Sequence, residues 1–215
     1  MRNSTASLYK NQGVPMNRDF FREKADSYEM DDDRVSNVEN IANSIIGNIS
    51  LDRSMHIMDF GSGTGLLLER ISPLVKKITA VDISKSMNEK LSQKRENLGC
   101  ELDILEIDLE TVSIETKFDG IISSMTMHHV KDIYTMFLKF HKLLNEGGVI
   151  AISDLDSEDG SFHTEDTGIY HFGFNRDEFY NLAKNAGFSD IAILDASVVK
   201  KPHGSYPVFL LIARK

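Results

Sequence analysis

The stretch "MDFGSGTGLLLERI" constrains the fold of this chain more than any other. The apolar run from Met55 to Phe60 reads as a short strand. Gly61, Gly63 and Gly65 follow it, and a helical run then continues until Pro73 ends it. Glycines between a strand and a helix permit positive φ and let a ligand approach the backbone closely. In an open α/β sheet, ligands bind beyond the carboxyl ends of the strands, near the point where strand order switches. A nucleotide-like group is therefore expected at this turn. Two common nucleotide motifs are excluded. The dinucleotide fingerprint needs Gly-x-Gly-x-x-Gly, but the sixth position is Leu66 counting from Gly61 and Leu68 counting from Gly63. The phosphate-binding loop needs Gly-Lys-Ser/Thr, which the chain lacks.

The remaining sequence alternates strand and helix signals. A short helix is expected over Asn17 to Tyr28, after a frayed and polar start. A second helix follows, with Val35, Val38, Ile41, Ala42, Ile45, Ile46 and Ile49 on one stripe and Asp31 to Asp33 at its start, where the helix dipole favours negative charge. Beyond the glycine turn come the strand "KITAVDI", a helix capped by Ser84 or Ser86, and the strands "ELDILEIDL" and "KFDGIISSM". The amphipathic helix "KDIYTMFLKFHKLLNEGG", with a glycine stop, leads into the strand "VIAISDL". After an irregular stretch, the helix "NRDEFYNLAKNAGF" precedes the strands "DIAILDASVV" and "YPVFLLIARK". The last two read as a hairpin, so the final strand should run antiparallel in a mostly parallel α/β sheet with helices on both faces.

Four features, in order, carry a family resemblance. They are Gly-x-Gly-x-Gly with Asp59 two residues before the first glycine, "AVDIS" with Asp82 17 residues after Gly65, "EIDLE" with Asp108, and "FDGIISSMTMHHVKD" followed by "LLNEGGVIAISD". Together they resemble the class I S-adenosylmethionine-dependent methyltransferases over about 55 to 155. The nearest variety looks like the small-molecule branch that includes quinone-biosynthesis C-methyltransferases. The resemblance implies a Rossmann-like, seven-stranded sheet, with residues 1–50 as an N-terminal helical extension or lid and 51–215 as the methyltransferase domain. It implies S-adenosylmethionine as cofactor, a small-molecule acceptor, and cofactor contacts from Asp59, Gly61, Ser62, Gly63, Gly65, Asp82, Ile83, Asp108 and Leu109. The chemistry fits. A carboxylate at Asp82 accepts both ribose hydroxyls, Asp108 accepts the adenine amine, and Ile83 packs on the ring while the backbone near Leu109 donates to it. Asp59 and the carbonyls around Gly61 suit the methionine ammonium. The helix start after Gly65 suits its carboxylate.

Methyl transfer from a sulfonium is a direct displacement, so a base is needed only when the nucleophile arrives protonated. His128 and His129 follow the fourth strand, with His128 the stronger candidate. Tyr28 lies in the segment that folds over the cofactor in this family, with helix packing as the alternative. His56 and His141, in a strand and an amphipathic helix, read as packing or exposed residues with no functional role. Met125 and Met127 read as pocket lining or core.

The stretch "DLDSEDGSFHTEDTGIYHFGF" holds six carboxylates, two histidines and four aromatic rings. Asp154, Asp156, Glu158 and Glu165 match positions 1, 3, 5 and 12 of a calcium loop, but position 6 is Asp159 instead of glycine and a strand enters the loop. No metal site is expected. The stretch leaves the carboxyl end of the fifth strand, so it reads as a wall of the acceptor pocket. Phe162, Tyr170, Phe172 and Phe174 would provide apolar surface, with His163 and His171 as polar handles or bases; the alternative is a solvated loop with its aromatics in the core.

Charge narrows the function further. The 215 residues carry a formal net charge of −9, which argues against nucleic acid and against anionic lipid as partners. The first 30 residues contain no secretory apolar run, and the single cysteine, Cys100, cannot form an internal disulfide. A cytoplasmic protein is expected, with Cys100 a buried small hydrophobe. The rival readings are a non-catalytic S-adenosylmethionine binder, a protein methyltransferase and, disfavoured by Leu66, a dehydrogenase.

Overall fold

The computed structural model describes residues 19, 21–22, 24–163 and 167–215. Its centre is a seven-stranded sheet made of β1 (His56–Phe60), β2 (Lys77–Asp82), β3 (Glu101–Glu106), β4 (Phe118–Ser124), β5 (Leu144–Leu155), β6 (Ser189–Lys201) and β7 (Gly204–Arg214). The strand order is β3-β2-β1-β4-β5-β7-β6. β7 alone runs against its neighbours, antiparallel to both β5 and β6, while the other pairings are parallel. The order reverses between β1 and β4, so the carboxyl end of β1, where the glycines lie, is the switch point.

Among the described residues five α-helices cover the sheet: α1 (Asp32–Asn48), α2 (Leu66–Ile71), α3 (Lys85–Gln93), α4 (Ile133–Leu143) and α5 (Arg176–Asn185). Two separate cores show that both faces are covered. One joins Phe137 and Phe140 of α4 with Phe179 of α5. The other joins Ile41 and Ile45 of α1, Leu68 of α2 and Leu91 of α3. The caps follow side-chain chemistry: Asp31 accepts from the Arg34 N–H, Ser84 from that of Met87, and Asn175 from that of Glu178. Of the two serines expected to cap α3, Ser84 is the one that does.

Three local expectations need correction. The helix expected over 17–28 is not formed by its described residues, which make successive turns before a 3₁₀ turn at Tyr28–Met30; Asn17, Arg18, Phe20 and Glu23 lie outside the described residues. Gly147 and Gly148 do not stop α4. The helix ends at Leu143 because Leu144 is already extended (φ −77°, ψ 146°) and pairs with Phe118. The glycines fall inside an irregularity of β5, where pairing resumes only at Gly120 with Val149 and Gly147 adopts φ +75°. Cys100 is half-buried at the margin of the second core, not enclosed.

Of the two expected alternatives, packing or exposure, His56 and His141 take packing. The His56 ring stands 4.9 Å from Phe118 and its Nε2 lies 2.8 Å from Thr79 Oγ1; the His141 ring stands 5.2 Å from Phe188. Met127 is fully buried core. No helix among the described residues is long and apolar enough to cross a membrane.

Candidate active site

The glycine turn is held by both neighbouring strands. Gly61 has φ +71°, its N–H donates to the Val81 carbonyl at 2.8 Å, and a Cβ there would fall 2.1 Å from Thr126 Oγ1. Thr126 follows β4, so Gly61 is needed because two strand ends meet over it. Gly63 has φ +53° with nothing within 4 Å of a built Cβ. Its outer side is open to a ligand, and its N–H donates to Asp82 Oδ2 at 2.8 Å.

Asp82 therefore anchors the turn. Its Oδ1 accepts the Ser84 N–H at 2.8 Å. Burial pushes its carboxyl up, and the N–H bonds from Ser84 and Gly63 oppose this. The Ile83 N–H also acts on this carboxyl, which keeps some acceptor capacity for a hydroxyl donor. Ile83 follows with half its surface exposed (51%). Asp59 is 1% exposed, and burial, with the Asp82 charge second, pushes its carboxyl up to about 8. Asp59 Oδ2, Ser62 Oγ and Thr64 Oγ1 are all buried without a hydrogen-bond partner. Three such atoms in one turn carry a desolvation cost that a polar ligand relieves. Asp108 lies two residues past β3 and already shapes a turn, with Oδ1 accepting from the Glu110 N–H at 2.9 Å and Oδ2 from Thr111 Oγ1 at 3.1 Å. The Leu109 side chain is buried in the first core.

Residues before α1 lie across this end of the sheet. Asp19 accepts from Ser84 Oγ and Ser86 Oγ, each at 2.9 Å, over the start of α3. The Phe21 ring stands edge-on to Tyr28 (6.4 Å) and to His129 (5.7 Å). Burial pushes the Tyr28 hydroxyl up; the Arg34 guanidinium, 4.1 Å from its ring centroid, opposes that shift, and the charge of Asp82 adds to it. One short segment thus reaches from the start of α3 to the histidines.

Three imidazoles converge beyond β4. Ring centroids lie 4.3 Å apart for His128 and His129, 5.1 Å for His128 and His163, and 6.2 Å for His129 and His163. His128 is buried, with Nδ1 2.8 Å from Asp154 Oδ1, and its backbone N–H donates to Asp154 Oδ2 at 3.1 Å. Burial alone would raise the Asp154 carboxyl, but His128 and the N–H groups of His128 and Leu155 hold it below its ordinary value. An ionised carboxylate only accepts, so His128 Nδ1 bears a proton and donates it to Asp154, which leaves Nε2 outside this bond. Burial, then the charge of His128, pushes His129 down to about 4; burial, then His128 and His129, pushes His163 down to about 3. His163 Nδ1 lies 3.3 Å from Thr167 Oγ1, and its Nε2 is buried without a partner.

Both depressed histidines are neutral near pH 7. The unfolded chain takes up protons below its ordinary histidine value near 6.5, whereas the folded chain does so only near 4 for His129 and near 3 for His163. Folding stability is therefore expected to fall as pH drops from about 6.5 towards 3. A thermal-melting series should show this, and His129→Gln should flatten it. An unchanged pH dependence in that variant would refute the buried neutral state.

The stretch after β5 divides differently from the sequence expectation. Phe162 and Phe174 are buried in opposite cores, whereas Tyr170 and Phe172 are 60% and 55% exposed. His171 does not join the imidazole group: its Nε2 lies 2.9 Å from the Val130 carbonyl and its ring 5.1 Å from Phe174. The stretch is nevertheless tied to the site, since the Tyr170 and His171 N–H groups both donate to the His128 carbonyl. Three carboxylates of the calcium template are engaged within the protein, Asp154 with His128, Asp156 with Arg176 at 2.6 Å and Glu158 with the N–H groups of Gly160 and Phe162; Glu165 lies outside the described residues.

The sequence matches the methyltransferase-domain family over residues 35–193, and the chain belongs to that family. An uncharacterized methyltransferase of Schizosaccharomyces pombe is 29% identical over 166 residues, covering 69% of this chain and 58% of that protein. The malonyl-[acyl-carrier protein] O-methyltransferase of Priestia megaterium is 28% identical over 148 residues, covering 64% of this chain and 52% of that protein. The chain thus spans little more than half the length of these relatives. In fold it is similar to phosphoethanolamine N-methyltransferase 2 of Haemonchus contortus in complex with S-adenosyl-L-methionine, with a TM-score of 0.66 at 16% identity over 91% of this chain and 60% of that one. These relatives do not single out the quinone-biosynthesis branch.

Proposed function

We propose that the protein is an S-adenosylmethionine-dependent methyltransferase acting on a small-molecule acceptor. The observation that carries this reading is the buried, unpartnered Asp59 Oδ2 at the end of β1, next to a glycine turn that is open at Gly63 and anchored by Asp82. The residues present fit the cofactor. Asp59 and the backbone at Gly61 meet an ammonium, Ser62 and Thr64 offer hydroxyls, Asp82 accepts ribose hydroxyls, and exposed Ile83 offers apolar surface to a base. Asp108 and the backbone at Leu109 lie at the next strand end. When bound, the cofactor supplies a methyl group on a sulfonium already activated for displacement.

The chain's own residues do the rest. The segment before α1 forms the lid that excludes water, with Asp19 fastening it to α3 and Tyr28 lining it. His128 Nε2 accepts a proton from the acceptor, and Asp154 holds its tautomer and stabilises the imidazolium. His129 and His163 add neutral polar groups without adding charge.

Asp59 provides a test of the ammonium site. With its carboxyl at about 8, it is mostly protonated at pH 7, and an ammonium beside it drives ionisation. Binding of S-adenosylmethionine should release close to one proton. Calorimetry in two buffers of different ionisation enthalpy should then give different apparent enthalpies, and Asp59→Asn should remove the difference. Buffer-independent heats in the wild type would rule this pairing out.

A further inference from the structure

The described residues of the segment before α1 meet α3 in a single row. Asp19 accepts from Ser86 Oγ at 2.9 Å, Asp26 pairs with Lys90 at 2.5 Å, and Glu29 pairs with Lys94. Ser86, Lys90 and Lys94 are spaced four apart, which puts them along one face of a helix. Lys94 also pairs with Glu69 at 2.7 Å. One ammonium thus ties the segment to α3 and to α2, the helix that leaves the glycine turn. At the other end of the row, Asp19 also accepts from the hydroxyl of Ser84, whose N–H is held by Asp82. The row therefore ends on the group that shapes the cofactor turn.

Charge does the fastening between residues 24–30 and α3. Within that stretch Ala25 alone is buried, and Met30 is 79% exposed. An alanine side chain is one methyl group, so its burial contributes little beside that of a leucine or phenylalanine. The backbone bonds are short-range: the Ala25 N–H donates to the Phe21 carbonyl at 2.9 Å, and the Ser27 N–H to that of Lys24 at 3.1 Å. Arg34 of α1 holds the Tyr28 carbonyl at 2.6 Å, and this bond marks the end at which the segment stays attached. The described contacts from residues 24–30 to α3 are the two ion pairs, and Asp26 in one of them is 86% exposed. An exposed ion pair shifts an equilibrium by about fivefold at most and is screened by salt. A segment with few buried apolar contacts opens locally at small cost. These residues therefore lift readily, and salt favours the lifted form.

Building on the methyltransferase reading, we propose that residues 24–30 are an ionic strap that gates the cofactor site. Release of Asp26 and Glu29 from Lys90 and Lys94 limits how fast S-adenosylmethionine enters and S-adenosylhomocysteine leaves. The gate acts on entry and exit alike, so it sets both rates and leaves the affinity unchanged. Higher ionic strength speeds the exchange.

The test follows association and dissociation of S-adenosylhomocysteine on the full chain by surface plasmon resonance. This probe carries no net charge near neutral pH, so salt acts on the protein's pairs. Raising the salt from about 0.1 M to about 1 M shortens the Debye length from about 10 Å to about 3 Å. Both rate constants should then rise at least about threefold and by a common factor, with Kd held within about twofold. The double variant Asp26→Asn, Glu29→Gln should show the faster rates at low salt and respond little to added salt. Amide hydrogen exchange at Ala25 and Ser27 should quicken in the same variant, while its melting temperature holds. Rates unchanged by the double variant overturn the inference. So does faster dissociation with unchanged association, which marks a lost contact instead of a gate. A wild type that binds no S-adenosylhomocysteine overturns the methyltransferase reading and the gate with it, whereas binding at ungated rates overturns the gate alone.

Discussion

Replacing Asp82 with alanine is expected to weaken S-adenosylmethionine binding at least tenfold. Asp82 acts twice in the site. Its Oδ2 fixes the Gly63 N–H and its Oδ1 the Ser84 N–H, so the carboxylate sets the shape of the glycine turn and the start of α3. On the proposed reading, its remaining acceptor capacity takes the ribose hydroxyls. Hydrogen bonds to a charged group contribute about 1.5–3 kcal/mol each, and tenfold in affinity is about 1.4 kcal/mol. Loss of one such bond suffices for the expected effect. Asp82→Asn, which keeps the shape and one acceptor oxygen, should lose less. Binding unchanged in Asp82→Ala would remove the ribose assignment.

Replacing Asp154 with asparagine is expected to lower kcat by about 10²–10⁴, the range that general-base catalysis supplies, with little change in affinity for S-adenosylmethionine. The substitution keeps size and hydrogen-bonding capacity but removes the charge that stabilises protonated His128. An amide nitrogen turned toward Nδ1 also reverses the tautomer and takes the basic nitrogen out of use. His128→Ala should cost a similar factor, and the double variant hardly more than either single one, because the pair acts as a unit. A purely structural role for Asp154 predicts otherwise: thermal stability would fall while kcat per folded molecule held. Thermal melting and S-adenosylhomocysteine binding separate the two.

The pairing of Asp154 with His128 was not legible in the sequence, and the reason is geometric. The residues are 26 apart, and only the parallel register of β4 and β5, with Ser124 opposite Ser153, brings the ends of those strands together. Asp19 was hidden for a similar reason, since its acceptor role depends on how the segment before α1 crosses α3. The glycine turn and Asp82 were readable because their geometry is local: glycines where a strand turns into a helix, and an acid at the next strand's end. The mostly parallel sheet followed from the alternation of elements, and its antiparallel last strand from the terminal hairpin. Residues 154–174 misled where local composition could not decide direction. Their aromatics divide between core and solvent according to tertiary packing, so Phe162 and Phe174 went inward while Tyr170 and Phe172 stayed out. His163 and His171 looked equivalent in sequence, yet only His163 reaches the imidazole group. The glycine pair before β5 looked like a helix stop, but the buried side chain of Leu144 had already drawn the chain into the sheet.

The most direct measurement of the central claim is transfer of an isotopically labelled methyl group. The protein is incubated with methyl-labelled S-adenosylmethionine and the small-molecule fraction of a cell extract. The account predicts S-adenosylhomocysteine formation matched by a labelled small molecule, both strongly reduced in His128→Ala. S-adenosylmethionine that binds but yields no S-adenosylhomocysteine above the protein-free rate would contradict it and identify a binder instead of an enzyme.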